Sequence, residues 1–188
     1  MKKILSIAAL CAGLFIASSA TAQVYEQGGN IIHGGIGFGS PYYVSGLTGT
    51  ASYMPPVHVS FEHGLKDKIG IGGLIGYTSS SFEDVNAFYT LKTTYSYVIV
   101  GVRGAYHFYN EGKLDAYAGA MLAYNAASAK QEVSGPWAGS YKGTAASAGG
   151  VTFGAFAGAR YGFTDKLMGF AELGYNIAWF SVGIGYKL

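Results

Sequence analysis

His58, Ser60 and Glu62 occupy alternate positions of one short segment, and these residue types could carry out hydrolysis. A serine hydrolase needs a serine nucleophile, a histidine base and an acid that orients the histidine. If the segment is a β-strand, the three side chains share one face, but neighbours in the set lie about 6.6 Å apart along the strand. Contact between them would be indirect, so catalysis is the least favoured of the functions considered for this chain.

A second group of chemically capable residues falls on the polar face of the predicted strands given below. Its members are Glu62, Arg103, His107, Asp115, Arg160 and Glu172. Arg103, Arg160 and Glu172 lie at similar distances from their neighbouring turns, which places them at similar depth. Because an isolated charge is costly in a low-dielectric interior, we predict that these groups pair. The expected role is a structural network that plugs a narrow barrel, and the alternative is a polar path for water or small solutes.

The four histidines and the glycine-rich segment after the first of them do not predict a metal or cofactor site. His33, His58, His63 and His107 lack the spacing of metal ligands, although His33 and His58 become neighbours if the first two strands pair. The glycine-rich segment 34–39 is not followed by a predicted helix, which a phosphate-binding loop requires. We interpret these glycines as room for tight packing and barrel curvature.

The N-terminus has the pattern of a secretory signal peptide, and the rest of the chain is long enough for one domain. Lys2 and Lys3 precede an apolar region from Ile4 to Ala17, and Ala20-Thr21-Ala22 predicts cleavage before Gln23. We therefore divide the chain into a signal peptide, 1–22, and a single domain, 23–188. The formal net charge of +2 comes from Lys2 and Lys3, so the mature chain is formally neutral. Nothing in its charge therefore argues for nucleic-acid binding.

Three short charged turns, at 65–68, 109–113 and 164–167, alternate with longer stretches rich in small residues, Ser40–Met54, Ser79–Lys92 and Ala126–Ala148. Short turns that alternate with long loops are typical of outer-membrane barrels. Eight strands fit between these marks. We predict them at 30–39, 57–64, 69–78, 95–108, 114–125, 149–163, 169–176 and 179–188, with a tight last loop near Ile177 and Ala178.

The apolar residues repeat with the period of two that a β-strand requires. In the last segment, Phe180, Val182, Ile184, Tyr186 and Leu188 alternate with small or polar residues. The other face is mostly Gly, Ser and Ala, which suits the narrow interior of an eight-stranded barrel. We therefore place the apolar face against lipid. Aromatic residues near strand ends would form interfacial girdles; they are Tyr106, Phe108, Tyr161, Phe163, Tyr175 and Tyr186.

The loops carry aromatic residues among Gly and Ser, which favours contact with proteins or glycans. These residues include Tyr42, Tyr43, Tyr53, Phe88, Tyr89, Trp137 and Tyr141. The alternative is that they anchor strand ends at the outer membrane interface, and this interpretation is slightly preferred. Both interpretations stay open.

Three places in the sequence resemble small outer-membrane β-barrel proteins of the OmpA/OmpX type, in forms common in Bacteroidetes: Val100–Phe108, Gly158–Lys166 leading to Phe170–Tyr175, and Val182–Leu188. The resemblance implies an eight-stranded antiparallel transmembrane barrel in a Gram-negative outer membrane, with both termini periplasmic. It also implies that the barrel-assembly machinery reads the terminal strand, which usually ends in Phe and here ends in Leu188. We expect no peptidoglycan-binding domain after the barrel, and we therefore expect no tethering to the cell wall of the kind found in full-length OmpA-type proteins.

The His58-Val59-Ser60 segment separately resembles the His-x-Ser pair of lipid A deacylase barrels. In such an enzyme the substrate would arrive from the lipid side, whereas these residues share the inward face. The leading hypothesis is a non-enzymatic, porin-like membrane protein with a structural role or a surface-interaction role through its loops. A narrow channel is the second hypothesis, a lipid A-modifying enzyme is the third, and no cofactor is expected.

Overall fold

The computed structural model describes residues 23–43, 50–85, 89–135 and 144–188. The predicted signal peptide lies outside these ranges, as do Phe88, Trp137 and Tyr141. Eight strands form in the predicted order: β1 (Asn30–Phe38), β2 (Thr50–Lys66), β3 (Ile69–Val85), β4 (Thr90–Glu111), β5 (Leu114–Ser134), β6 (Ala145–Gly162), β7 (Leu167–Tyr175) and β8 (Phe180–Lys187).

The strands close into a barrel in which each strand pairs antiparallel with its neighbours in sequence. The ring closes between β1 and β8, where Ile31 to Phe38 pair with Lys187 to Phe180. Closure satisfies the backbone hydrogen bonds of the edge strands without water, which is the condition for crossing lipid. None of the described residues forms a helix long and apolar enough to span a membrane.

The apolar face of each strand points outward, as predicted from the alternation. On β8, Ile184 is 58% exposed whereas Ser181 is 1% exposed. The same outward exposure holds for residues of the other strands, among them Ile36, Val59, Ile75, Val100, Leu122, Phe153 and Leu173. The predicted girdle residues Tyr106, Phe108, Tyr175 and Tyr186 are also exposed on this outer surface. A continuous apolar surface of this extent requires an apolar surrounding.

Small inward residues allow the walls to approach each other closely. A side chain at Gly183 would meet the carbonyl oxygen of Gly34 and the ring of Phe170. At the turn between β4 and β5, Gly112 has φ +56°, a left-handed conformation that favours glycine. The same end of the barrel holds Gln23, Leu188 and the short turns at 67–68, 112–113 and 163–166, and we call it the terminus end.

The prediction of long loops at the opposite end, the loop end, was wrong in extent. Strands take up the end of Ser40–Met54 and much of Ser79–Lys92 and Ala126–Ala148, because β2 begins at Thr50, β3 reaches Val85, β4 begins at Thr90, β5 reaches Ser134 and β6 begins at Ala145. Their outward residues are mostly Ser, Thr and charged residues, so the apolar alternation that predicts the other strands is absent there. They form ladders nevertheless, and one outward row of serines crosses four strands as Ser79, Ser96, Ser128 and Ser147.

These extensions project on one side of the barrel. The pairing of β2 with β1 ends at Val57, and the pairing of β6 with β7 ends at Ala155. Beyond those points, β2 to β6 continue as a curved sheet of five strands. We call the outer part of this sheet, 50–54, 78–85, 90–97, 127–134 and 145–148, the wing.

Candidate functional site

The lumen near the terminus end is crossed by an ion pair between β6 and β2. The two terminal nitrogens of Arg160 donate to Glu62, with Nη2–Oε2 at 2.7 Å and Nη1–Oε1 at 2.9 Å. Nη1 also lies 3.4 Å from Oδ2 of Asp115 on β5. Arg160 is 1% exposed. A guanidinium held by two carboxylates satisfies the condition under which a buried charge is tolerated.

His107 on β4 joins the two carboxylates of this group. Its Nδ1 lies 2.8 Å from Oδ1 of Asp115, and its Nε2 lies 3.3 Å from Oε1 of Glu62. The six predicted residues include three carboxylates and two guanidinium groups. Protonation of the His107 imidazole would therefore make the set electrically neutral.

Arg103 and Glu172 form a second ion pair nearer the middle of the lumen, 2.5 Å apart. The Tyr117 hydroxyl donates to Glu172 at 3.2 Å, and Asn176 Nδ2 donates to its other oxygen at 2.8 Å. The Tyr117 ring also lies under Arg160, 4.3 Å from its Cζ. The structure thus brings the six residues together in two sets joined by Tyr117. Tyr117 and Asn176 were not predicted as members of this network, because the prediction rested on carboxylate, guanidinium and imidazole groups.

The segment before β1 covers the terminus end of the lumen. The Tyr25 ring stacks on His107 with centroids 3.6 Å apart, and its hydroxyl donates to the carbonyl of Lys66 at 2.7 Å. Asn110 Nδ2 donates to the carbonyl of Tyr25 at 2.7 Å. Burial raises the pKa of Tyr25 to about 12, so the phenol stays protonated and able to donate at neutral pH. We call segment 23–29 the N-terminal plug; its sequence has no alternation that would have revealed it.

The last loop closes the loop end of the lumen. Ile177 and Ala178 are 0% and 1% exposed, and Ile177 belongs to the inward apolar cluster that contains Leu74, Ile99 and Phe156. The Ser40 hydroxyl donates to the Ile177 carbonyl at 2.9 Å, and Asn176 Oδ1 accepts from the Ala178 amide at 3.0 Å. The tightness of this loop was predicted, but its insertion into the barrel was not.

The candidate hydrolase residues lie in the lumen without the arrangement of a catalytic triad. The Ser60 hydroxyl lies 3.5 Å from Nδ1 of His33, not beside His58, and Glu62 is engaged by Arg160. His33 and His58 each contact the Phe170 ring edge-on, at centroid distances of 5.3 and 6.0 Å. Within the described part of the chain, no cluster of three His, Cys, Asp or Glu residues has the geometry to hold a metal ion.

Comparison of the sequence with protein-family models and with curated proteins gives no match. Solved structures match over most of the chain. The N-terminal β-barrel domain of Pseudomonas aeruginosa OprF aligns at TM-score 0.52 and 15% identity, covering 86% of this chain and 98% of that domain. Ail, the attachment invasion locus protein of Yersinia pestis, crystallised with the heparin analogue sucrose octasulfate, aligns at 0.52 and 14%, covering 85% and 97%.

A de novo designed transmembrane β-barrel aligns at TM-score 0.50 and 15% identity, covering 87% of this chain and 98% of the design. At such identities the likeness concerns the fold and not the activity. It agrees with the closed ring of eight strands and with the apolar outer surface. The chain therefore has the fold of the small eight-stranded outer-membrane β-barrels.

Proposed function

We propose that this protein is an integral outer-membrane barrel without catalytic activity that contacts surface partners through its loop end. The observation that carries the proposal is the wing. It continues beyond the outward apolar residues of the barrel, which we call the apolar belt, while side chains fill the lumen below it. Outward residues of the belt such as Val100 and Phe153 give way to the serine row and then to charged residues such as Lys130 and Glu132. Such a change in outward chemistry marks the boundary between lipid and water.

The proposed orientation places the termini and short turns in the periplasm and the wing outside the cell. Short periplasmic turns and longer external segments are usual for this architecture. Ail offers a precedent for a barrel of this fold crystallised with a ligand, the heparin analogue. The present chain shares the fold with Ail at 14% identity, so the precedent supports surface interaction and not the same ligand.

Labelling of intact cells tests the orientation. The single cysteine of the sequence, Cys11, lies in the predicted signal peptide, so introduced cysteines would be unique in the mature chain. We expect a membrane-impermeant maleimide to label Glu132→Cys on the wing and not the matched Asp67→Cys in the turn between β2 and β3. Labelling of Asp67→Cys alone would contradict the proposed orientation.

Capture from the cell surface tests the interaction role. Purified barrel in detergent, carrying a photo-crosslinker at position 132, should capture a component of the cell exterior. The same crosslinker at position 67 serves as the matched control. Equal capture from both positions, or capture from neither, would contradict a surface role centred on the wing.

A further inference from the structure

The inner face of the wing carries a row of aromatic rings. Ring centroids of Tyr43 and Tyr53 lie 4.7 Å apart, those of Tyr53 and Phe82 6.1 Å, and those of Phe82 and Tyr95 6.3 Å. Tyr97 on the same face lies 5.4 Å from Tyr42. The row therefore runs across β2, β3 and β4. Phe82 is buried, whereas Tyr53 is 45% exposed, so part of the row is accessible.

The opposite half of the same inner face is built from small residues. Ala127 and Ala129 on β5 pair with Ala148 and Ala146 on β6. Both β6 alanines are exposed, although they lie on the concave side. Since β1, β7 and β8 end below this level, none of the described strands stands opposite the wing. Within the described residues, the aromatic rings and the alanines therefore line one concave face, which we call the cleft, and Tyr42 and Tyr97 at its base pack against the buried cluster that contains Ile177 and Ala178.

Charge is distributed unequally between the two faces of the wing. Glu83, Lys92 and Glu132 form one cross-strand row on the outer face, with the lysine between the two acids. Lys130, also on the outer face, lies 2.7 Å from Glu132. On the described inner face, Asp84 at the tip is the sole charged residue. Its other polar groups are hydroxyls and an amide; Ser80 and Thr93 are buried, whereas the Gln131 amide and the Tyr53 hydroxyl belong to partly exposed residues.

We propose that this cleft binds an uncharged carbohydrate chain. The exposed ring of Tyr53 offers rigid apolar contact for the C–H face of a sugar ring, and its hydroxyl and the partly exposed amide of Gln131 can bond sugar hydroxyls. A sulfated or phosphorylated chain would need cations on this face, and the described residues supply none there. A polypeptide that added to the sheet would use the open edges of β2 and β6 and not the aromatic wall.

The inference rests on the proposed surface role and narrows it to a ligand class. Its test uses the full mature chain in detergent and an array of uncharged oligosaccharides, with a heparin hexasaccharide as the anionic comparison. We expect saturable binding of an uncharged oligosaccharide that Tyr53→Ala weakens by about tenfold or more, the equivalent of about 1.4 kcal/mol. Tyr53→Phe, which keeps the ring, should retain binding.

Tyr124→Ala is the matched control, because this tyrosine is exposed on the outer surface of β5 and should not affect carbohydrate binding. Circular dichroism and heat-dependent gel mobility establish that each variant is folded. Absence of binding across the uncharged array, tighter binding of the heparin fragment, or equal binding by Tyr53→Ala would each overturn the inference. If position 132 still captures a surface protein in that case, the proposed surface role survives and the carbohydrate inference alone fails.

Discussion

Arg160 on β6 and Glu62 on β2 lie 98 positions apart in the sequence and form a two-point ion pair across the lumen. In a ring of eight strands, β2 and β6 occupy opposite walls. The pair is therefore a strut that joins walls with no shared backbone ladder. Both side chains are buried, so removal of one partner would leave the other as an unpaired charge in a low-dielectric space.

The first prediction concerns this strut. Glu62→Leu should lower the free energy of unfolding by about 3–5 kcal/mol, because Arg160 loses its main counter-charge while it stays buried. The double variant Glu62→Leu/Arg160→Met should recover much of that loss, since neither charge is then buried without a partner. Urea unfolding in lipid vesicles, followed by tryptophan fluorescence, measures the free energy of unfolding of the single and the double variant. A double variant no more stable than the single variant would contradict the unpaired-charge explanation.

The sequence predicts which face of its strand each residue of the strut occupies, but not which residue it pairs with. Strand parity places Arg160 and Glu62 on the inner face, because a period of two is preserved along both strands. Their pairing depends on the closure and register of the whole barrel. Only then do Arg160, Asp115 and His107, which lie on three adjacent strands, come together with Glu62. Sequence distance carries no information about that arrangement.

Three features were not predicted from the sequence: the N-terminal plug, the insertion of the last loop into the lumen, and the wing. The physical reason differs between the two segments that close the lumen and the wing. Tyr25 and Ile177 are single side chains in irregular segments, where no periodicity distinguishes a buried residue from an exposed one. The wing strands carry Ser, Thr and charged residues on their outer face, whereas their inner face carries the aromatic row and the alanines. Without an apolar outer face, the alternation that marks the rest of each strand does not continue into the wing.

The second prediction tests the assignment of faces on β8. Ile184→Arg should cost about 2–4 kcal/mol of stability if the residue lies near the bilayer midplane, because a charge would then face lipid. Gly183→Arg, one position earlier, should fail for a steric reason, since even a Cβ atom there meets the Gly34 carbonyl. Folding into vesicles of short-chain and long-chain lipid distinguishes the cost of a charge in lipid from the steric overlap inside the lumen. The Ile184→Arg defect should be smaller in the thinner bilayer, and the Gly183→Arg defect should not change.

Full tolerance of Ile184→Arg in long-chain vesicles would show that the apolar face does not contact lipid. A conservative control, Ile184→Val, should change stability by about 0.5–1.5 kcal/mol or less. The control separates loss of apolar contact from introduction of charge.

The third prediction concerns conduction. The protein should form no channel in planar bilayers, because the N-terminal plug, two ion-pair sets and Ile177 close the lumen in series. Tyr25→Ala removes the ring that stacks on His107 but leaves the ion pairs and Ile177, so this variant should also stay closed. Unitary openings that are reproducible and scale with protein concentration in the pure unmodified protein would contradict a filled lumen and favour the channel alternative.

The fourth prediction addresses hydrolysis. Ser60→Ala should leave the lipid A composition of the outer membrane unchanged, because the hydroxyl lies inside the lumen beside His33 at 3.5 Å and has no acid–histidine pair aligned on it. Mass spectrometry of lipid A from cells expressing either form measures this directly. The substitution should still reduce stability by about 1–3 kcal/mol, since His33 loses a buried polar partner. A lipid A acyl chain removed by the unmodified protein and retained with Ser60→Ala would instead show that this lumenal serine reaches lipid, and the assignment of a closed, non-catalytic barrel would be wrong.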